Sequence, residues 1–187
     1  GSCPSVTVPE AGDVSRSPVE HAAVTMADAD YSVTKYQCCC EWVTCLENRL
    51  PYHALSAGTL NGQNVYVARA VHEGETLIGW AQPAISCCYV SWNGGAHPHS
   101  EYQCLATETP DKMAWVPAAE GELPYGAVQA GRTSDNEPLF IGRVQVGEGV
   151  LIGKVHPSHK TLYVAHNGQE LSFDNYEVLV CKKLELR

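Results

Sequence analysis

The chain has 187 residues, enough for one globular domain or for two small ones sharing a core. Its formal charge is −9, so nucleic acid and anionic membrane surfaces are repelled on average, which counts against both as partners. Charged residues make up only 18%, while Gly and Pro number 16 and 11, a balance that predicts strands and turns rather than long helices.

No apolar run approaches the roughly 18–20 residues of a membrane span, so membrane insertion is not expected. No signal peptide is visible, and the leading Gly1-Ser2 resembles a cloning remnant. Nine cysteines are present: Cys3, Cys38, Cys39, Cys40, Cys45, Cys87, Cys88, Cys104 and Cys181. That number is high for the cytosol and leans towards an oxidising, extracellular compartment. It is also odd, so at least one thiol is free or pairs between chains. The runs Cys38-Cys39-Cys40 and Cys87-Cys88 do not look like a spaced disulfide framework, and both disulfides and free thiols stay open.

In chain order, residues 1–41 read as an N-terminal extension, Pro-rich and polar at first, with "DYSVTKYQCCCEW" able to add a strand at its end. Residues 42–106 and 115–187 then repeat one pattern, joined by a linker at 107–114. "WVTCLENRLPYHALSAG" from Trp42 matches "WVPAAEGELPYGAVQAG" from Trp115, and "VYVARAVHEGETLIG" from Val65 matches "LFIGRVQVGEGVLIG" from Leu139. Trp42 and Trp115 are 73 residues apart and Arg69 and Arg143 are 74, so one residue was gained or lost in the turn between them. Repeats of this length are structural units that bury a shared face.

Within each copy, Val65–Arg69 and Leu139–Arg143 alternate as strands do. Asn61-Gly62, Asn93-Gly94, Asn167-Gly168 and Ser134-Asp135-Asn136 are turn chemistry between apolar runs. Tyr176–Val180 reads as a final strand. No window sustains a helical period. The expected fold is all-β: two pseudo-symmetric antiparallel repeats interlocked into one sandwich or barrel-like body.

One aligned pair separates frame from chemistry. "LIGWAQPAISCCYVSWNG" (77–94) and "LIGKVHPSHKTLYVAHNG" (151–168) share Leu-Ile-Gly, a Pro, Tyr-Val and Asn-Gly. Lys154, His156 and His159 of the second are Trp80, Gln82 and Ile85 of the first.

The second copy reads Trp115, Pro124, Gly131, Arg143, Glu148, Gly153-Lys154-Val155-His156-Pro157-Ser158-His159, Tyr163, Gly168-Gln169-Glu170, Tyr176-Glu177-Val178-Leu179. In that order and spacing it resembles the DM9 tandem-repeat family, which includes mannose-specific lectins acting without a metal and occurs in natterin-like proteins. The resemblance covers about residues 42–181. It implies an all-β fold, two repeats per protomer, protomers that can pair into a homodimer, and a shallow site for mannose or high-mannose glycans. It points to Lys154 as a ligand residue, and to an acidic turn that falls at Thr133, with Asp135 two residues further on.

The chemistry of the residues agrees with such a ligand. Sugar hydroxyls both donate and accept, so one ammonium beside one or two carboxylates fixes adjacent hydroxyls in both roles through charge-assisted bonds. Lys154, Asp135 and Glu148 supply that set, and Asn136, His156, His159 and Glu170 extend it. In the first copy Asn61, Asn64, Glu73 and Glu75 are polar, while Trp80 replaces the ammonium. Trp80 and Trp92 also offer faces that pack on the C–H side of a sugar ring.

Plainer roles compete with these. Arg69 and Arg143 recur in one frame, which points to a buried pair or to bonds with backbone carbonyls. Trp42, Trp115, Tyr89 and Tyr163 read as core. His97-Pro98-His99 and His156-x-x-His159 lack an evident third ligand, so no native metal or other cofactor is expected. Cys87 and Cys88 have no placed histidine or orienting acid, so no enzyme is expected. The leading function is a carbohydrate-binding lectin of innate recognition. The alternative is a structural or protein-interaction scaffold using the repeat frame and the Cys-rich segment.

Overall fold

The type I′ turns written as Asn-Gly are where the chain reverses. Asn61, Asn93 and Asn167 all have positive φ, each followed by a glycine that shares it, the geometry that joins two twisted strands with two residues. The computed structural model describes residues 39–46 and 49–182, so the expected extension falls outside the described residues up to Cys38. The first copy runs β1 (Glu41–Cys45), β2 (Ser56–Leu60), β3 (Gln63–His72), β4 (Glu75–Gln82), β5 (Cys87–Trp92), β6 (Gly95–His99) and β7 (Tyr102–Ala106). The second runs β8 (Met113–Ala119), β9 (Gln129–Arg132), β10 (Pro138–Val146), β11 (Gly149–His156), β12 (Thr161–His166), β13 (Gln169–Phe173) and β14 (Asn175–Cys181). The segment before β8 contains a single 3-10 turn, Pro110–Lys112. Among the described residues there is no α-helix.

The protein is all-β, as the alternating patterns predict. All ladders among the described residues are antiparallel, and eight strands close on themselves: β4, β5, β6, β13, β12, β11, β10 and β9, with β9 returning to β4. Closure leaves these eight strands no open edge among themselves. β3 and β7 extend the sheet beyond β4, with β1 outermost, while β14 and β8 extend it beyond β10. β2 pairs with β3.

The two copies interlock rather than stand side by side. They meet at the bridge between Gly95 and Gln169, which hold equivalent positions, so a pseudo-two-fold axis passes there. Glu170 donates its N–H to Gly94 O, and Ala96 donates its N–H to Gly168 O, as images about that axis. β9 of the second copy pairs with β4 of the first, and β11 packs on β2. One apolar core results, holding Val65, Val67, Leu77, Ile78, Val90 and Leu105 together with Leu139, Ile141, Leu151, Ile152, Val164 and Leu179. Burial of this apolar surface supplies the main drive to fold.

The recurring arginines lock this arrangement. Arg69 Nη1 donates to Ala130 O at 3.0 Å, and Arg143 Nη1 donates to Ala57 O at 2.7 Å, each reaching into the other copy. Arg69 Nε donates to Gln103 Oε1 and Arg143 Nε to Glu177 Oε2. Each guanidinium also lies over the tryptophan that opens its own copy, Trp42 at 4.2 Å and Trp115 at 4.5 Å. Of the two roles expected for these arginines, the bond to a backbone carbonyl is present in both, and Arg143 also has a half-buried ion pair with Glu177.

Leu-Ile-Gly recurs because its glycine faces another strand. A Cβ at Gly79 would collide with the carbonyl oxygen of Tyr89, and one at Gly153 with that of Tyr163. Just after each glycine the strand stays fully buried, through Gln82 in β4 and through His156 in β11. A 3-10 turn opened by Pro83 or Pro157 then ends in Ser86 or Lys160, both in the left-handed region, and starts the next strand.

The cysteines divide between these settings. Cys39 and Cys181 are joined in a disulfide that ties the residues before β1 to the end of β14. Cys45, Cys88 and Cys104 are buried thiols, and Cys87 is half-buried.

Candidate functional site

Lys154 sits in an environment that does not favour a cation. It follows Gly153 in β11, within the run Leu151–His156 that is buried throughout, and only 5% of it is exposed. Its ammonium donates to the carbonyl of Ser91, at 2.5 Å, and pairs with Glu170 Oε2 at 3.2 Å. Burial lowers the Lys154 pKa below the usual lysine value, against the opposing pull of Glu170 and of Glu75.

Around the ammonium is a cleft of about 290 Å³ built from both copies. Glu75, Trp92 and Asn93 come from the first; Thr133, Lys154, His156, His159, Tyr163 and Glu170 come from the second. Glu170 is oriented by the junction of the copies, since Gly94 N donates to its Oε1 at 3.1 Å. Its Oε2 is buried and has no hydrogen-bond donor besides the ammonium contact. Glu75 reaches across to accept from the N–H and the hydroxyl of Ser134, both at 3.2 Å. Tyr163 lies beneath the ammonium, 5.6 Å from ring centre to Nζ.

A histidine wall closes the far side. The rings of His156 and His159 stack with centres 3.6 Å apart, and the Tyr163 hydroxyl lies 3.3 Å from His159 Nδ1. His156 Nε2 lies 3.1 Å from Glu137 Oε2, which also accepts from the Ser158 hydroxyl at 2.7 Å. Burial, foremost, and the neighbouring His159 lower the His156 pKa, while Glu137 opposes them. The cleft thus holds one ammonium, the carboxylates of Glu170 and Glu75, and two aromatic faces, Trp92 and Tyr163.

The pseudo-two-fold axis generates a second cleft, of about 250 Å³, lined by Asn61, Trp80, Gln82, Ile85, Tyr89, His166 and Asn167 among others. Here Trp80 stands for Lys154 and Ala96 for Glu170. Trp80 Nε1 donates to Ala165 O at 2.8 Å, and its ring stacks on Tyr89 at 5.2 Å. Gln82 donates to Leu60 O and to Gln63 O. No Asp, Glu, Lys or Arg lines this cleft.

Of the residues singled out in the sequence, Lys154, His156, His159, Glu170, Glu75 and Trp92 line the first cleft, and Asn61 and Trp80 the second. Asp135, Asn136, Glu148 and Glu73 line neither and are exposed. Asn136 instead accepts from Arg132 Nη1 at 2.8 Å, and Glu73 occupies a turn with positive φ. Thr133 rather than Asp135 is the residue of that turn that faces the cleft. Tyr89 and Tyr163, expected in the core, are half-buried and each faces a cleft. Asn93 and Glu137 carried no sequence signal beyond a turn and an acidic position; their roles come from contacts across the fold.

Among the described residues, no group of three or more His, Cys, Asp or Glu side chains is placed to hold a metal. Burial pushes the thiols of Cys87 and Cys88 above the usual range.

Comparisons with known proteins follow the repeat. The profile of the DM9 repeat matches residues 3–83 and 60–173. Its first match reaches well into the N-terminal stretch. Natterin-1 of Thalassophryne nattereri is 26% identical over 132 residues, covering 67% of this chain and 35% of that protein. The chain therefore spans about a third of the length of this curated relative. The crystal structure of the nematode sperm cell motility protein MFP2B shares the fold, with a TM-score of 0.54 at 14% identity, over 76% of this chain and 44% of that one. Since the profile spans most of the sequence and the doubled strand order bears it out, the chain belongs to the DM9-repeat family.

Proposed function

We propose that the chain is a carbohydrate-binding protein, a lectin for mannose or mannose-containing glycans, and that it binds through the Lys154 cleft. The observation that carries this reading is the buried Lys154–Glu170 pair opening into a cleft with a second carboxylate and two aromatic faces. An ammonium donates to one sugar hydroxyl while a carboxylate beside it accepts from the next, the pattern that vicinal hydroxyls require. Tyr163 and Trp92 supply apolar surface for the ring. These groups bind and orient a polyhydroxylated ring.

The neutral Trp80 cleft makes the two copies unequal, with one charged site per chain. A single shallow site binds weakly, so pairing of two chains would supply avidity for microbial surface glycans. Calorimetric titration with mannose and with a high-mannose glycopeptide tests the proposal. One site per chain is expected, lost in a Lys154→Trp/Glu170→Ala variant whose circular dichroism is unchanged. Equal affinity in that variant overturns the assignment.

A further inference from the structure

The internal duplication shows a second place where one copy departs from the frame. Arg69 and Arg143 hold equivalent positions, and each donates from Nη1 to a carbonyl of the opposite copy. What stands against Nε differs. Arg143 has the carboxylate of Glu177 at 2.7 Å, an ion pair, whereas Arg69 has the neutral amide oxygen of Gln103 at 2.8 Å. Among the described residues the contacts of the Arg69 guanidinium are Gln103, the Ala130 carbonyl and the face of Trp42. Its charge is half-buried and has no counter-ion there.

Arg69 lines a cleft of about 400 Å³ that shares no residue with the two described above. Thr44, Thr76, His99 and Gln103 line it as well. At the equivalent positions the second copy has Pro117, Val150, Phe173 and Glu177. The first copy therefore surrounds its guanidinium with four hydrogen-bonding side chains, where the second has three apolar ones and a carboxylate. Each copy folds with its own set, so the frame requires neither. His99 is held in place by its Nε2, which lies 3.2 Å from His72 Nδ1. Glu101, the one carboxylate of the lining, is exposed and forms no ion pair with Arg69.

We infer that this cleft binds a hexuronate, a sugar acid that sets its carboxylate on Arg69 and its ring hydroxyls on Thr44 and Thr76. Nε and Nη1 of Arg69 are committed to the scaffold, which leaves Nη2 to donate to a ligand. A guanidinium is the side chain best matched to a carboxylate. One cation with Glu101 nearby suits a single negative charge better than the roughly −1.5 to −2 of a phosphate group. A bare carboxylate would leave most of the cleft unfilled, and threonine hydroxyls donate and accept as ring hydroxyls do. Ala70, Val71 and Tyr102 add apolar surface for the C–H side of the ring. The site is independent of the Lys154 cleft and stands whether or not that cleft takes mannose.

Sodium glucuronate titrated into the full chain tests this, read by backbone amide shifts in proton–nitrogen spectra. Saturable shifts at Thr44, Thr76 and Gln103 are expected, with Lys154 and Glu170 unmoved. Glucose, which lacks the carboxylate, and acetate, which lacks the ring, are each expected to bind about tenfold more weakly. Gln103→Glu gives Arg69 the counter-ion that Arg143 already has, so the fold is kept while glucuronate affinity falls about tenfold. Thr76→Val, also a residue of the second copy, provides the comparison if that variant fails to fold. Shifts confined to other residues, unchanged affinity in the folded variant, or glucose or acetate binding as tightly as glucuronate overturns the inference.

Discussion

Trp80 and Lys154 donate to carbonyls that are images of each other: Trp80 Nε1 to Ala165 and Lys154 Nζ to Ser91. The indole therefore takes over the scaffold bond of the ammonium while discarding its charge. Ala96, in place of Glu170, removes the counter-ion at the same time. A cation and its partner are absent together, which is what burial demands, since either alone would be left without compensation. Only 7% of Trp80 is exposed, and its ring stacks on Tyr89 at the edge of the second cleft.

This relationship predicts strong coupling between Lys154 and Glu170. Lys154→Trp or Glu170→Ala alone is expected to cost about 3 kcal/mol, because each strands the other charge in a largely buried site. Lys154→Trp with Glu170→Ala copies the first copy's solution and is expected to recover most of that loss. Urea unfolding of the four proteins measures the coupling; simply additive losses would mean that the pair is not a unit.

The arginine locks make a second prediction. Arg69→Ala and Arg143→Ala are each expected to destabilise the fold by about 2–3 kcal/mol, the range for hydrogen bonds made by a charged group. Lysine at either position is expected to rescue little, since one ammonium cannot bond a side chain and the opposite copy's carbonyl in the same fork while covering a tryptophan. Chemical unfolding midpoints report both effects.

Sugar affinity is expected to track the cleft and not the general acidity of the turns. Glu75→Gln should weaken mannose binding about tenfold, the loss of one charge-assisted bond. Glu148→Gln, in an exposed turn outside the cleft, should leave affinity within about twofold. Calorimetry on the two variants separates these outcomes, and an equal loss in both would point to long-range charge rather than contact.

Acid is expected to loosen the protein before carboxylates titrate. His72, His99 and His156 all have pKa values in the fold below the usual 6.5, with burial the leading cause in each. Below pH 6.5 the unfolded chain takes up protons that the folded chain does not, so stability falls as pH drops from 6.5 towards the folded values. Melting temperature should hold steady above about pH 7 and decline below it. The His72→Val/His97→Leu/His99→Phe variant should show a shallower decline. Glu137 acts lower down: burial raises its pKa, but bonds from Ser158 and His156 outweigh that and lower it below 4.5. Its contribution is present above 4.5 and lost as pH falls through the folded value.

Most of the scaffold was legible in the sequence because local rules write it. Asn-Gly turns, period-two alternation and the doubled Leu-Ile-Gly are set by backbone sterics near each residue. The convergence of side chains was less legible. Glu75 reaches the cleft because β4 pairs with β9 of the other copy, and no spacing within one repeat encodes that. Asp135 and Glu148 sit in turns whose outward direction follows from the ladder register, which the sequence pattern leaves open by a residue or two. His72 and His99 are 27 positions apart and meet only in the folded barrel.

The bridge between Gly95 and Gln169 has a consequence for how such a chain can be cut or multiplied. Each cleft borrows its turn from the copy across that bridge, Asn93 for one and Asn167 for the other. A half-length fragment would therefore lose both the barrel closure and a wall of its own cleft. The smallest transplantable part is the pair of repeats, and a substitution in one repeat also alters the wall of its twin's cleft.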